Sequence, residues 1–298
     1  MERIEICDLL EKFLSYGVAI RNYHPATVKK YRSTFRMISN DMSVQYLDEL
    51  NARLLEEWFF YGRTNRKWSA VTFRHYLKHI NVVMKWLIKR DYLEENYVQD
   101  LEKPKMEIKL PRNLSVDKAK LILDGAFHMK YRYRFEKYRN RAVIAIMLLA
   151  GLRRCEVVNL KLNDISLENR MIFVNQGKGS KDRMLPMNAR LHTILSEYMR
   201  DRERLGEESI HFFISLTRGK PFGERGITNL ICKLKKLTGV YFSSHMLRHT
   251  FATLMLEGGC DIYTLSKLMG HAKITTTTIY LSCSNAQMGK SIEMHVLN

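Results

Sequence analysis

Proline and glycine are scarce, at 5 and 15 of 298 residues. That excludes collagen-like and low-complexity architectures. Cysteine is scarce as well. Cys7, Cys155, Cys232, Cys260 and Cys283 are odd in number, far apart and form no CxxC pair. Neither a disulfide framework nor a zinc ribbon is expected from them, and a reducing cytoplasm is. No apolar run reaches the ~18 residues of a membrane span. The run AVIAIMLLAGL (142–152) is too short and reads as a buried helix. The opening MERIEICDLLEKF is acidic and amphipathic, unlike a secretory signal. Acidic residues are in deficit: 31 Asp and Glu face 49 Lys and Arg, a formal net charge of +18. A chain this basic is expected to meet a polyanion.

The basic excess is uneven. Residues 1–100 carry 16 basic and 13 acidic groups, a net of +3, and residues 101–298 carry 33 and 18, a net of +15. Hydrophobic residues make up 46%, enough for packed cores, and the length fits two domains of about 150 residues. Apolar residues at helical spacing predict four helices in the first hundred residues. The first carries Ile6, Leu9, Leu10, Phe13 and Leu14 with Gly17 as its stop. The second starts at Pro25, the third runs from about Asp48 to Tyr61 and ends before Gly62, and the fourth starts near Ser69. On these helices Lys29, Arg32, Arg74 and Lys78 lie beside aromatic residues and are candidate phosphate contacts. A solvated helix surface would show the same pattern.

LEKPKMEIKLPR (101–112), with two prolines, reads as an extended linker. Ser115 with Asp117 is expected to cap the next helix. KYRYRFEKYRNR (130–141) has six basic residues and one acid, which makes Arg132, Arg134 and Arg139 candidates for DNA backbone contact. MIFVNQ (171–176) and RMLPM (183–187) alternate around the turn GKGSKD, the pattern of a β-hairpin. Helices are expected at 188–204, 226–238, 245–257 and 261–269, the last two stopping at Gly258 and Gly270.

Four stretches of the basic region could carry chemistry: AGLRRCEVVNL (150–160), GKGSKDR (177–183), SHMLRHTFATLML (244–256) and LMGHAKITTTTIY (268–280). A P-loop is excluded, because Ile172 stands where its first glycine belongs and Gly179 follows Lys178. The turn can still push Lys178 outward, and Lys181 is a candidate DNA contact. His245 and His249 have zinc-helix spacing, but Met246 replaces the required Glu and no third ligand lies at metal spacing. His245 and Arg248, three apart, share a helical face near an N-terminus that favours an anion. Glu156, three after Arg153, is placed to orient it by ion pairing. His271 follows a helix-ending glycine. Tyr280 becomes a nucleophile only where cations and a base offset its pKa of about 10.

In this order, Arg153, Lys178, His245-x-x-Arg248, His271 and Tyr280 resemble the tyrosine recombinase family of phage integrases and Xer-type recombinases. The resemblance covers nearly the whole chain and rests most on the C-terminal half. It implies a mainly α fold with a small antiparallel sheet (α+β). It further implies a helical, SAM-like core-binding domain over 1–100, a linker over 101–112, and a catalytic domain over 113–298 with a tail at 282–298. It implies Tyr280 as nucleophile, Arg153 and Arg248 clamping the phosphate, and Lys178 as acid. His245 would accept or orient the phenolic proton, His271 would bond a phosphate oxygen, and Glu156 would support. His249 stands outside this set. The implied partners are double-stranded DNA carrying a recombination site and further copies of the chain in a tetramer, with no metal, ATP or other cofactor, in the cytoplasm at the nucleoid. A type IB topoisomerase and a non-catalytic DNA-binding protein remain open at this point.

Overall fold

The computed structural model describes residues 3–106, 112–175, 182–206, 208–216, 220–271, 274–278 and 280. Lys178, Lys181 and the tail 282–298 lie outside them. The chain divides into two compact units, Met1–Ile108 and Lys109–Asn298. Eleven helices and one three-stranded antiparallel sheet occur among the described residues, so the chain is mainly helical with a small sheet, as its patterning implied.

The first unit holds α1 (Ile6–Ala19), α2 (Pro25–Met42), α3 (Ala52–Thr64) and α4 (Ala70–Ile88). Short side chains start the last two. Asn51 Oδ1 accepts from Leu54 N–H at 2.9 Å, and Ser69 Oγ accepts from Thr72 N–H at 3.1 Å. Each satisfies a backbone donor that the first helical turn leaves unpaired. Phe13, Leu55, Trp58 and Ile80 meet at the centre. Each such side chain contributes roughly 1.5–3 kcal/mol on burial. Trp58 also needs a partner for its indole N–H, and Asp41 accepts it at 2.9 Å.

Two glycines read as stops are instead close-packing positions. α1 runs through Gly17, and a Cβ there would lie 2.4 Å from the Tyr23 ring. α3 likewise runs through Gly62, where a Cβ would lie 2.1 Å from the Trp68 ring. A glycine inside a helix thus admits a ring against the backbone, which local sequence cannot announce.

The second unit is built on α6 (Arg134–Leu149), packed against α5 (Val116–His128), α8 (Ala189–Glu203) and α10 (Ser244–Glu257). Residues 142–147 of α6 are fully buried, which explains their unbroken apolar run. α7 (Arg154–Asn159) follows α6. Next come β1 (Ile165–Ser166), β2 (Met171–Val174) and β3 (Arg183–Pro186), in the order β1-β2-β3. Ile172 pairs with Leu185 facing inward, and Phe173 pairs with Met184 facing out. β1 adds a strand to the hairpin expected from sequence. α9 (Glu224–Thr238) packs on α5, and α11 (Ile262–Met269) packs on α10 and β3. α10 ends at Gly258 and α11 at Gly270, the latter in the left-handed region with φ 61°.

The basic run 130–141 is not a surface turn. Its second half is the first two turns of α6, and one face of those turns is core. Arg139 is only 4% exposed, donates to the Ile214 carbonyl at 3.2 Å and stacks over the Phe222 ring at 4.0 Å. It is therefore a buried structural cation rather than a backbone contact. Charge count along a sequence does not tell which helical face each charge occupies.

Candidate active site

The site forms where the end of α6, the start of α7, strand β3, helix α10 and the segment after α11 converge. The chain leaves α6 through Gly151, whose φ is +65°. A side chain would be strained there, and its Cβ would lie 2.4 Å from the Phe251 ring. This turn delivers Arg153 to the N-cap of α7 and points the Gly151 carbonyl at Arg248, which donates to it at 2.5 Å.

One carboxylate organises the cations. Glu156 is 8% exposed. Its Oε1 accepts from Arg153 Nη1 at 2.7 Å and from Arg183 Nη1 at 3.1 Å. Its Oε2 accepts from the Arg153 backbone N–H at 2.8 Å and from Arg183 Nη2 at 2.9 Å. Arg248 Nη1 stands 3.9 Å from the same oxygen. Burial alone would raise the Glu156 carboxyl. The charge of Arg183 and the bonds from Arg153 and Arg183 outweigh it and hold the group below the usual carboxylate range.

The guanidiniums are also pinned by carbonyls at helix ends. Arg183 Nε donates to Leu268 O at 2.8 Å, Arg248 Nη2 to Met269 O at 2.5 Å, and Arg153 Nη2 to Gly270 O at 3.3 Å. The last turn of α11, where carbonyls lack helical partners, thus seats all three arginines. Burial, then the neighbouring Arg153, brings Arg248 down to about 10, still charged at neutral pH.

His271 follows that turn. Its Nε2 lies 3.2 Å from Arg248 Nη2 and its Nδ1 lies 2.8 Å from Thr277 Oγ1. Burial, then Arg248, Arg153, Arg183 and His249, lower its pKa to about 4. It is neutral at pH 7, so Nε2 accepts from Arg248 and Nδ1–H donates to the buried Thr277. Tyr280 is 2% exposed, in a small cluster with Phe251, Leu256, Leu265 and Met269. Its hydroxyl lies 2.6 Å from Nδ1 of His249. His245 is exposed at the first turn of α10.

Of the residues singled out from sequence, Arg153, Glu156, Arg248, His271 and Tyr280 come together within this part of the second unit. Lys178 and Lys181 lie outside the described residues. In the first unit Lys29 and Lys78 are exposed. Arg32 is forked onto Glu11 at 2.6 and 2.7 Å, and Arg74 donates to the Pro104 carbonyl at 2.9 Å. In the second unit Arg132 is exposed, and Arg134 reaches Asp201 at 3.0 Å.

Sequence reasoning missed Arg183 and Thr277 and left His249 outside the site. A signal for Arg183 existed. It shares the inward face of β3 with Leu185, and a charge in an inward register needs a buried partner. Nothing local marks Thr277, and nothing local tells that His249 meets Tyr280, which comes from another segment.

Residues 113–287 match the phage integrase family. The chain is 26% identical to the tyrosine recombinase XerC of Corynebacterium glutamicum, over 94% of this chain and 89% of that protein. It is 27% identical to the tyrosine recombinase XerA of Pyrococcus horikoshii, over 98% and 95%. Among solved structures, the Tn1549 transposon integrase in complex with a circular-intermediate DNA shares the fold, with a TM-score of 0.76 at 20% identity over 97% of this chain and all of that one. The fold and site define a tyrosine-type site-specific DNA recombinase. The chain belongs to the phage integrase family.

Proposed function

We propose that the chain exchanges strands between DNA duplexes by two transesterifications at Tyr280. The phenolic oxygen attacks a backbone phosphorus, the P–O5′ bond breaks, and a 3′-phosphotyrosine and a free 5′-hydroxyl result. A 5′-hydroxyl from a partner strand then attacks the phosphotyrosine and releases the enzyme. Each step exchanges one phosphate ester for another, so no ATP is consumed.

The observation that carries this reading is a phenol in the same site as three guanidiniums, two bonded to one buried carboxylate and the third 3.9 Å from it. The phosphorane carries more negative charge on its equatorial oxygens than the diester. Arg153 and Arg248 stabilise those oxygens, and preorganised donors of this kind contribute on the order of 3 kcal/mol each. Glu156 and Arg183 position the pair. His271 completes the phosphate seat, and His245, at the exposed start of α10, helps to orient the phenolic proton. Lys178 protonates the leaving 5′-oxygen. No metal is assigned a step, because the arginines supply the charge.

The first unit serves as the core-binding domain, with the boundary region 101–112 as linker and 113–298 as catalytic domain. Lys29, Arg32, Arg74, Lys78, Arg132, Arg134 and Lys181 contact DNA phosphates, which makes affinity fall steeply with salt. Four copies assemble on paired sites, with residues 282–298 docking on a neighbour. The protein works in the cytoplasm at the nucleoid.

The test is covalent trapping on genomic duplex fragments. The wild type should form an adduct, and Tyr280→Phe should bind DNA without forming one. An adduct on serine, or scission by water with no protein attached, sinks the reading. Relaxation of any supercoiled plasmid regardless of site would point to a topoisomerase instead.

A further inference from the structure

The proton on the attacking phenol has to go somewhere, and the fold puts an acceptor beside it. α10 carries His245, Arg248 and His249 at i, i+3 and i+4, so three groups that share the site leave the helix from adjacent positions. It is Nδ1 of His249 that lies 2.6 Å from the Tyr280 hydroxyl, while His245 is exposed to solvent. The two rings lie 5.5 Å apart between centroids, tilted by 52°. The Tyr280 N–H is bonded to the Thr277 carbonyl at 3.1 Å, and its ring is buried. Thr277 in turn holds His271, which meets Arg248. The phenol is thus tied to the phosphate seat on one side and to an imidazole on the other.

We propose that His249 is a catalytic residue that takes the phenolic proton of Tyr280 at Nδ1 during strand cleavage and returns it during ligation. The proposal rests on the strand-exchange reading above. As the phenolic oxygen bonds to phosphorus, its O–H bond breaks and the proton binds Nδ1. The P–O5′ bond breaks, and the leaving oxygen takes a proton from Lys178. Ligation reverses both transfers, so neither group needs an outside reagent.

An acceptor must be neutral before the reaction. His249 is faced by His245 and Arg248 on α10, by Tyr280, and by His271 beyond α11. Burial, then the charges of His245 and Arg248, hold its pKa below the ordinary histidine value. The imidazole is therefore unprotonated at pH 7 and its lone pair is available.

The experiment measures single-turnover adduct formation on the genomic fragments that trap the wild type, for His249→Ala and His249→Asn. General bases contribute about 100-fold or more, and both variants should lose that much while retarding DNA normally in gels. Asparagine keeps a hydrogen-bond acceptor but cannot carry a proton, so its failure separates proton transfer from positioning. Added imidazole should restore cleavage to His249→Ala in proportion to its unprotonated fraction as pH is varied. Circular dichroism checks that both variants fold, and the asparagine protein carries the test if the alanine protein does not. Wild-type or faster cleavage by His249→Asn, or no response of His249→Ala to imidazole, overturns the proposal alone. Absence of any wild-type tyrosyl adduct overturns the strand-exchange reading and this proposal with it.

Discussion

Glu156→Gln replaces one oxygen of a buried carboxylate by an amino group and removes a charge. Both oxygens are in use. Oε1 receives Arg153 and Arg183, and Oε2 receives the Arg153 backbone N–H and Arg183. Whichever way the amide turns, its NH₂ faces two N–H donors. Three guanidiniums then lose their shared counter-charge in a site where the side chains of Glu156, Arg183 and Arg248 are each under 10% exposed. Breaking one partner of a buried ion pair costs about 3–5 kcal/mol. For a unit of this size each kcal/mol moves Tm by about 2–4 °C, so the expected drop is roughly 6–20 °C. The assay can assign it. Trp58, Trp68 and Trp86, the three tryptophans of the chain, all lie in the first unit. Their fluorescence follows that unit, and circular dichroism follows both. The variant should keep the wild-type fluorescence transition and show an early transition by circular dichroism. Coincident dichroism curves for variant and wild type would refute the view that one carboxylate holds this cluster together.

Gly151→Ala forces a side chain into a left-handed conformation and against Phe251. It should cost about 1–3 kcal/mol in urea denaturation and lower adduct formation, because the carbonyl that seats Arg248 shifts. Stability of the second unit should fall as pH drops from about 6.5 toward 4. The His271 pKa is depressed to about 4 in the folded chain, so the unfolded chain binds more protons across that window and unfolding becomes easier. His271→Gln should flatten this dependence in urea titrations at pH 5 and 7.5; an unchanged slope would contradict it. Lys178→Ala should cleave poorly on ordinary DNA. It should recover cleavage when the scissile 5′-oxygen is replaced by sulfur, a leaving group that needs no acid.

Apolar spacing and caps were enough to place most helices. Asn51 and Ser69 are local signals, as are Gly258 and Gly270, and each acts within one turn of itself. Gly17 and Gly62 deceived the reading because the rings that need them, Tyr23 and Trp68, come from beyond the helix. Arg139 deceived it because the six basic residues of 130–141 look alike until α6 turns one of them inward.

The chemistry followed the same division. Residue type and order alone carried the resemblance that groups Arg153, Lys178, His245, Arg248, His271 and Tyr280 into one expected site, since a motif is read from which side chains stand in which order. Only the tertiary structure decided that Arg183 joins Arg153 on Glu156 beside Arg248, and that His249 rather than His245 meets the phenol. Those choices depend on segments far apart in the chain arriving within 3 Å of each other. Contact at that range is fixed by the packing of α6, α7, α10, α11 and β3 together, and no stretch of sequence contains it.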